Sequence, residues 1–378
     1  MLPLITAIAL IIVGLFFLEF ILRIYTRSYL VTSSLNIKKI PILKIEREYE
    51  FLDSLQDKIN WHSDLKFGWV LKKSFRLGIR IKVAGLGLTR EFFYNTDEYG
   101  RRKTTNLDVV KKEYNHCISI YGCSVTYGHS LSDHHTYSWL LQDEFPKIKF
   151  NNYGVAGYSL YQSLLSIEQS IKKDAPIVTV IGFHEDLGWR NTCSFEWAER
   201  LQNIWKIPSA VSRNYSLKTY SPKAYFTFGF GERIRLLTVF ERVINKLKFR
   251  GRGNPVVIRQ TMEHLLLKIR NACEKNGSKL LIACLDDCES YYEFFEDNDF
   301  DWCVTGVNTR ELNDSGEYRW ILFPFDNHPN ESANVKYCES IKLALIEILQ
   351  GGRSQPEVKL KKLHKKLGDP GKFVYPHS

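Results

Sequence analysis

The sequence predicts an α/β domain whose mainly parallel sheet is covered by helices on both faces. Two observations lead there. From about Asn115 onward, short unbroken apolar runs alternate with stretches of helical periodicity, and a strand that is apolar at every position leaves neither face to water. The turns that interrupt this alternation carry glycines beside reactive side chains, and open parallel sheets bind ligands beyond the carboxyl ends of their strands.

Taken in order, residues 117–121 form an apolar strand that ends at Gly122, and residues 136–144 a helix. Residues 148–152 read as a second strand. Over 158–172, Leu160, Leu164, Ile167 and Ile171 recur at helical spacing. Residues 176–181 are a continuous apolar strand. Residues 259–276 are a helix with Leu265, Leu266 and Ile269 on one face, stopped by Gly277. Residues 279–285 are another buried strand, and 335–349 a last helix before Gly351 and Gly352. This gives a three-layer α/β domain over about 111–350. Residues 193–257 break the alternation and read as an insertion near the rim of the sheet. Residues 25–110 read as a linker and a mainly extended segment: 79–83 alternate apolar and charged residues, a strand signal, and 97–100 form a turn. Residues 351–378 are a basic tail.

The formal net charge is +10 over 378 residues, and it sits at the ends. Residues 23–50 hold six basic and three acidic side chains, and 353–378 hold seven and two. A nearly neutral middle argues against nucleic acid as a partner and suits ends that lie against anionic lipid, or a solvated tail. The cysteines are scattered with no C-x-x-C pair, which fits buried small apolar side chains better than a zinc or disulfide framework.

Residues 2–22 are apolar except for Glu19. At 1.5 Å per residue they would span roughly 31 Å, the thickness of bilayer hydrocarbon. No small-residue cleavage site comes after them, so an uncleaved transmembrane anchor over 1–24 is expected, with Glu19 pairing Arg23 near the interface. The positive charge after this helix favours a cytoplasmic domain.

Three turns carry the chemistry. In Gly122-Cys123-Ser124-Val125-Thr126-Tyr127-Gly128, a strand runs into a glycine and then a serine, where free N–H groups open the next segment. In Asn152-Tyr153-Gly154-Val155-Ala156-Gly157, the N–H of Gly157 is placed to be a second oxyanion donor. In Asp326-Asn327-His328-Pro329-Asn330, a carboxylate two residues from an imidazole can orient it, so that His328 takes a proton from Ser124. Each turn alone also reads as an ordinary strand-to-helix connection or helix cap. The order of all three is far more specific.

That order resembles the SGNH (GDSL-like) hydrolase superfamily, in its membrane-anchored bacterial type, over roughly 111–350. The resemblance implies a flavodoxin-like sheet, Ser124 as nucleophile, Asp326 and His328 as its catalytic partners, and an oxyanion hole from Ser124 and Gly157. Leu18-Glu19 with Leu22-Arg23, Gly68-Trp69 and Tyr99-Gly100-Arg101 are similar to features of anchored members. The chain departs from the family's third block, Gly-x-Asn-Asp: here the strand ends Gly182-Phe183-His184-Glu185-Asp186. His184 stands in for the missing asparagine donor, whereas an ionised Glu185 there would repel an oxyanion.

The expected activity is a serine esterase or acyltransferase acting on O-acyl, chiefly acetyl, esters, with no metal and no cofactor. The resemblance supplies an acylated carbohydrate of the cell envelope or a small ester as substrate, and a membrane acyltransferase and membrane lipid as partners. It also favours a domain outside the cytoplasmic membrane, against the charge pattern. The competing expectation is a non-catalytic envelope or glycan-binding protein with a degenerate third block.

Overall fold

The structure, a computed structural model, describes residues 6, 10, 11, 13–23, 47–52, 60–106, 114–201, 206–213, 216–223, 226 and 234–355. Helix α1 is described over residues 13–23, with Leu10 and Ile11 also helical. Among the described residues no helix is long and apolar enough to cross a membrane. The described turns of α1 cover only about 17 Å, and the remainder of the anchor expected over 1–24 lies outside the described residues, as does most of the basic tail. The expected Glu19–Arg23 pair is present at 2.7 Å.

Five strands precede the α/β domain: β1 (Arg47–Phe51), β2 (Trp61–Asp64), β3 (Gly68–Leu71), β4 (Arg76–Val83) and β5 (Leu88–Asn95). β1, β4 and β5 form one antiparallel sheet, and β2 and β3 a hairpin. β4 alternates as its sequence implies: Leu77, Ile81 and Val83 are buried, while Arg80 reaches Glu50 and Glu91 on the neighbouring strands at 2.9 and 2.6 Å. The buried side chains Trp69, Phe92 and Tyr94 pack with Tyr127, Tyr158 and Trp197 of the following domain. The segment is thus a roof over one edge of that domain.

The α/β domain runs in the order β6 (His116–Tyr121), α2 (Ser124–Tyr127), α3 (Tyr137–Glu144), β7 (Ile148–Asn152), α4 (Leu160–Asp174), β8 (Val178–Phe183), α5 (Leu187–Asn191) and α6 (Phe195–Arg200). Then come β9 (Ile207–Arg213), β10 (Ser216–Lys223), α7 (Arg235–Lys248), α8 (Pro255–Glu274), β11 (Lys279–Cys284), α9 (Tyr292–Asp297), β12 (Asp301–Val304) and α10 (Glu331–Leu349). Five strands make a parallel sheet in the order β12-β11-β8-β6-β7. Counted along the chain this is 2-1-3-4-5, the flavodoxin-like order, with its switch point between β6 and β8. Every residue of β8 is buried, as a central strand covered on both faces requires. α4 and α8 cover one face through Leu160, Ile167, Leu265 and Ile269. α3 and α10 cover the other through Tyr137, Leu141, Tyr337 and Ile341.

Helix starts differ from the periodicity because caps, not apolar spacing, set them. Asn254 caps α8 with Pro255 in its first turn, four residues before the expected start, and Asn330 caps α10 by accepting from the Ala333 N–H at 3.0 Å. α4 begins at Leu160 behind a capping box of Ser159 and Gln162. Within 193–257, β9 and β10 form an antiparallel hairpin, and β9 lies on α8 through a Ser212 N–H to Thr261 Oγ1 bond of 2.9 Å. All eight cysteines are reduced and seven are buried.

Candidate active site

Ser124 is positioned by backbone packing at the switch point. A Cβ on Gly122 would lie 2.2 Å from Thr126 Oγ1, one on Gly182 would lie 2.3 Å from the same oxygen, and one on Gly154 would lie 2.5 Å from the Tyr127 nitrogen. The three turns interlock only because these positions lack side chains. Ser124 therefore opens α2 at the end of β6, only 7% exposed. Gly128, at φ 75°, ends the helix.

A buried arginine fixes the segment beyond Gly128. Arg102 bonds Asp133 at 2.5 Å and donates to the carbonyls of Leu131 at 2.7 Å and Tyr127 at 3.2 Å. It lies against both Tyr94 and Tyr127, 4.6 and 4.8 Å from their centroids, while the two rings pack on each other at 5.3 Å. Nothing in the sequence singles out Arg102 from its neighbour Arg101, which pairs with Asp97 at 2.7 Å.

The segment so held carries His129 and Ser130, and these receive the Asp326–His328 pair. His328 Nδ1 lies 2.9 Å from Asp326 Oδ1, so a carboxylate acceptor fixes Nδ1–H as the donor and leaves Nε2 to accept a proton. Asp326 Oδ2 accepts from the Ser130 hydroxyl. Burial alone would raise the Asp326 pKa, but the bond and charge of His328, then His129 and Ser130, outweigh it and hold the carboxyl well below its usual range. The ring of His129 packs at 4.5 Å from that of His328. Its Nδ1 is buried without a partner, although the side chain is 39% exposed. Burial, then the charge of His328, lowers its pKa to about 3.

His129, Asp326 and His328 place one ligand atom each within 4.8 Å of one another. Two imidazoles and a carboxylate are donors that suit zinc, and this is the only such His, Cys, Asp or Glu grouping among the described residues.

Ser124 and the Asp326–His328 pair lie at opposite ends of α2. The His129 N–H donates to the Ser124 carbonyl at 3.0 Å, and the His129 ring touches that of His328. Among the described residues no hydrogen bond joins Ser124 Oγ to His328; the hydroxyl lies 3.9 Å from Cys123 Sγ.

His184, at the end of β8, meets Cys123 across the switch point, with Nε2 2.9 Å from Sγ. Both are buried. Burial opposes a charged thiolate, but the charge and hydrogen bond of His184, then Arg190 and the Val125 N–H, bring the Cys123 pKa down to about 5. Burial likewise lowers the His184 pKa, and the Cys123 charge and bond reverse this to a net rise. With the shared proton on sulfur or on Nε2, this contact leaves Nδ1–H of His184 as a donor, and it has no partner among the described residues. Glu185 lies apart from this contact, its carboxylate accepting from the Ser290 hydroxyl at 2.5 Å.

Gly157 precedes α4 by two residues beyond its cap rather than opening it, at φ 80°. A Cβ there would lie 3.2 Å from Trp69 Cζ2, and the Trp69 indole donates to the Ala156 carbonyl at 3.0 Å. The Gly157 N–H has no partner among the described residues. The turn is tied to the Ser124 turn by a Val155 N–H to Gly122 carbonyl bond of 3.2 Å. The parts of the site that the sequence does not single out are Arg102, His129, Ser130 and the Cys123–His184 contact. Only the polar pair directly behind Gly128 leaves a local signal.

No protein-family model and no curated protein matches the chain. Among solved structures, it is similar to the crystal structure of TesA, with a TM-score of 0.34 and 11% identity over 61% of this chain and 97% of that one. It is similar to the psychrotrophic esterase EstA from Pseudoalteromonas sp., with a TM-score of 0.35 and 13% identity over 62% of this chain and 100% of that one. It is also similar to Axe2, an acetyl-xylooligosaccharide esterase from Geobacillus, with a TM-score of 0.33 and 10% identity over 62% and 96%.

Proposed function

We propose that this chain is a serine esterase or acyltransferase acting on O-acyl esters, with Ser124 as nucleophile. The observation that carries the reading is the arrangement around α2: a serine at its first position, and past its end a Ser130 and His129 that hold an Asp326-oriented His328. In this reading His328 Nε2 takes the Ser124 hydroxyl proton as Oγ attacks the acyl carbonyl. The tetrahedral oxyanion is held by the N–H groups of Ser124 and Gly157 and by Nδ1–H of His184, which takes the place of an amide donor. The proton returns through His328 to the departing alcohol, leaving an acyl-serine that water or a sugar hydroxyl discharges.

An acetylated envelope glycan as substrate rests on the family resemblance, as does a membrane-anchored domain on the outer side of the cytoplasmic membrane. The open Ser124–His328 contact also favours a second reading, a binding protein on the same fold. p-Nitrophenyl acetate separates the two. The esterase reading expects turnover that Ser124→Ala abolishes; equal release by the variant refutes it.

A further inference from the structure

Helix α7 is built inside out. Its buried side chains are the polar Glu241, 7% exposed, and Asn245, fully buried. Asn245 grips the backbone of Phe226 from both sides, accepting from its N–H and donating to its carbonyl at 2.8 Å each. The apolar side chains face outward: Val239, Phe240, Val243, Ile244 and Leu247 are 42%, 51%, 49%, 39% and 65% exposed. At 3.6 residues per turn these five occupy a continuous arc of about 140°. Lys246 and Arg242 border the arc on one side, Arg242 also pairing with the half-buried Glu199 at 3.2 Å, and Lys248 borders it on the other. A soluble helix buries its apolar stripe; this one buries its polar stripe and holds it there with hydrogen bonds.

The exposed stripe continues into a second apolar surface. Glu19 of α1 accepts from the Leu236 N–H in the first turn of α7 at 2.7 Å, where a carboxylate also suits the helix dipole. α1 carries the exposed side chains Val13, Phe16, Phe17 and Phe20. Two helices with exposed apolar side chains thus meet at this hydrogen bond.

We propose that α7 lies in the plane of an anionic lipid bilayer, its apolar arc in the acyl boundary and its basic borders among the headgroups, side by side with α1. An apolar face bordered by lysine and arginine is the pattern of an interfacial helix, and the long basic stems keep their charges in the polar layer while their carbons cover apolar surface. A second copy of this chain fits worse, because the same basic borders would face each other across a dimer. The proposal gives residues 234–250 a role the alternating α/β pattern leaves open, and it does not rest on the esterase reading.

The test uses the full chain in vesicles of phosphatidylcholine, with and without phosphatidylglycerol. A photoreactive phenylalanine analogue is placed singly at Phe240 or Leu247. The control is Leu343, 64% exposed on α10 at the opposite face of the sheet. Lipid adducts at Phe240 and Leu247 should exceed those at Leu343 several-fold and rise with phosphatidylglycerol. Adducts no greater than at Leu343, adducts indifferent to phosphatidylglycerol, or adducts to a second protein chain overturn it.

Discussion

Two histidines take part in the proposed chemistry at Ser124, and their surroundings differ in both access and partner. His328 has a side chain 30% exposed and a carboxylate at 2.9 Å; His184 is buried, with a cysteine sulfur at the same distance. A carboxylate acceptor fixes one imidazole nitrogen as donor and leaves the other to take a proton. A buried thiolate stabilises the charged imidazole, whose second nitrogen can then only donate. In the proposed mechanism the same residue type serves as base in one place and as hydrogen-bond donor in the other, because its partners differ. The comparison explains how a third block without asparagine can still supply a donor.

The largest expected effect lies on the His328 side. Asp326→Asn should lower kcat about 10³–10⁴-fold by releasing the imidazole from its tautomer and orientation, read by p-nitrophenyl acetate kinetics. Loss of less than tenfold would separate Asp326 from the mechanism. Arg102→Met leaves Asp133 as an uncompensated buried charge and should cost about 3–5 kcal/mol in urea unfolding. A cost within about 1 kcal/mol would mean that the segment bearing His129 and Ser130 is held by other contacts.

On the other side, His184→Leu should lower kcat about 10²-fold with KM little changed, the loss of one oxyanion donor. It should also move a thiolate titration near pH 5 upward, followed by thiolate absorbance and absent from Cys123→Ala. If Asp326→Asn moved that titration equally, the two histidines would not be independent. The smallest effect concerns His129. Its pKa falls from an ordinary value of about 6.5 to about 3 in the folded chain. Between these values the unfolded chain binds the extra proton, so stability falls as pH falls across that window. His129→Gln should flatten the acid limb of a stability–pH curve, and an unchanged slope would contradict the assignment.

The parts of the fold legible in the sequence are those where one physical rule dominates. β6, β8 and β11 fall where their strands are expected because their burial leaves little room for polar residues, and β7 does so although its buried Asn151 and Asn152 are polar. β12 is invisible there: four residues beginning with Asp301 form no apolar run of their own, and pairing with β11 makes the strand. Helix α7 lies in the stretch read only as an insertion, and its apolar stripe faces out where such a stripe normally marks a core-facing side. At the site, Ser124, Asp326 and His328 are legible as turn residues. His184 is legible as a donor, but its grip on Cys123 comes from strands β6 and β8 being neighbours although the residues are 61 apart. The role of Arg102 likewise exists only once the carbonyls of Phe93, Tyr127, Gly128 and Leu131 converge on it.

The central claim, that Ser124 is the nucleophile, is tested most directly by a fluorophosphonate probe with peptide mapping of the full chain. The account predicts a single covalent adduct on Ser124, formed by the wild type and slowed in Asp326→Asn by about the factor seen in turnover. An unlabelled Ser124, or an adduct on another residue with Ser124 left bare, contradicts it.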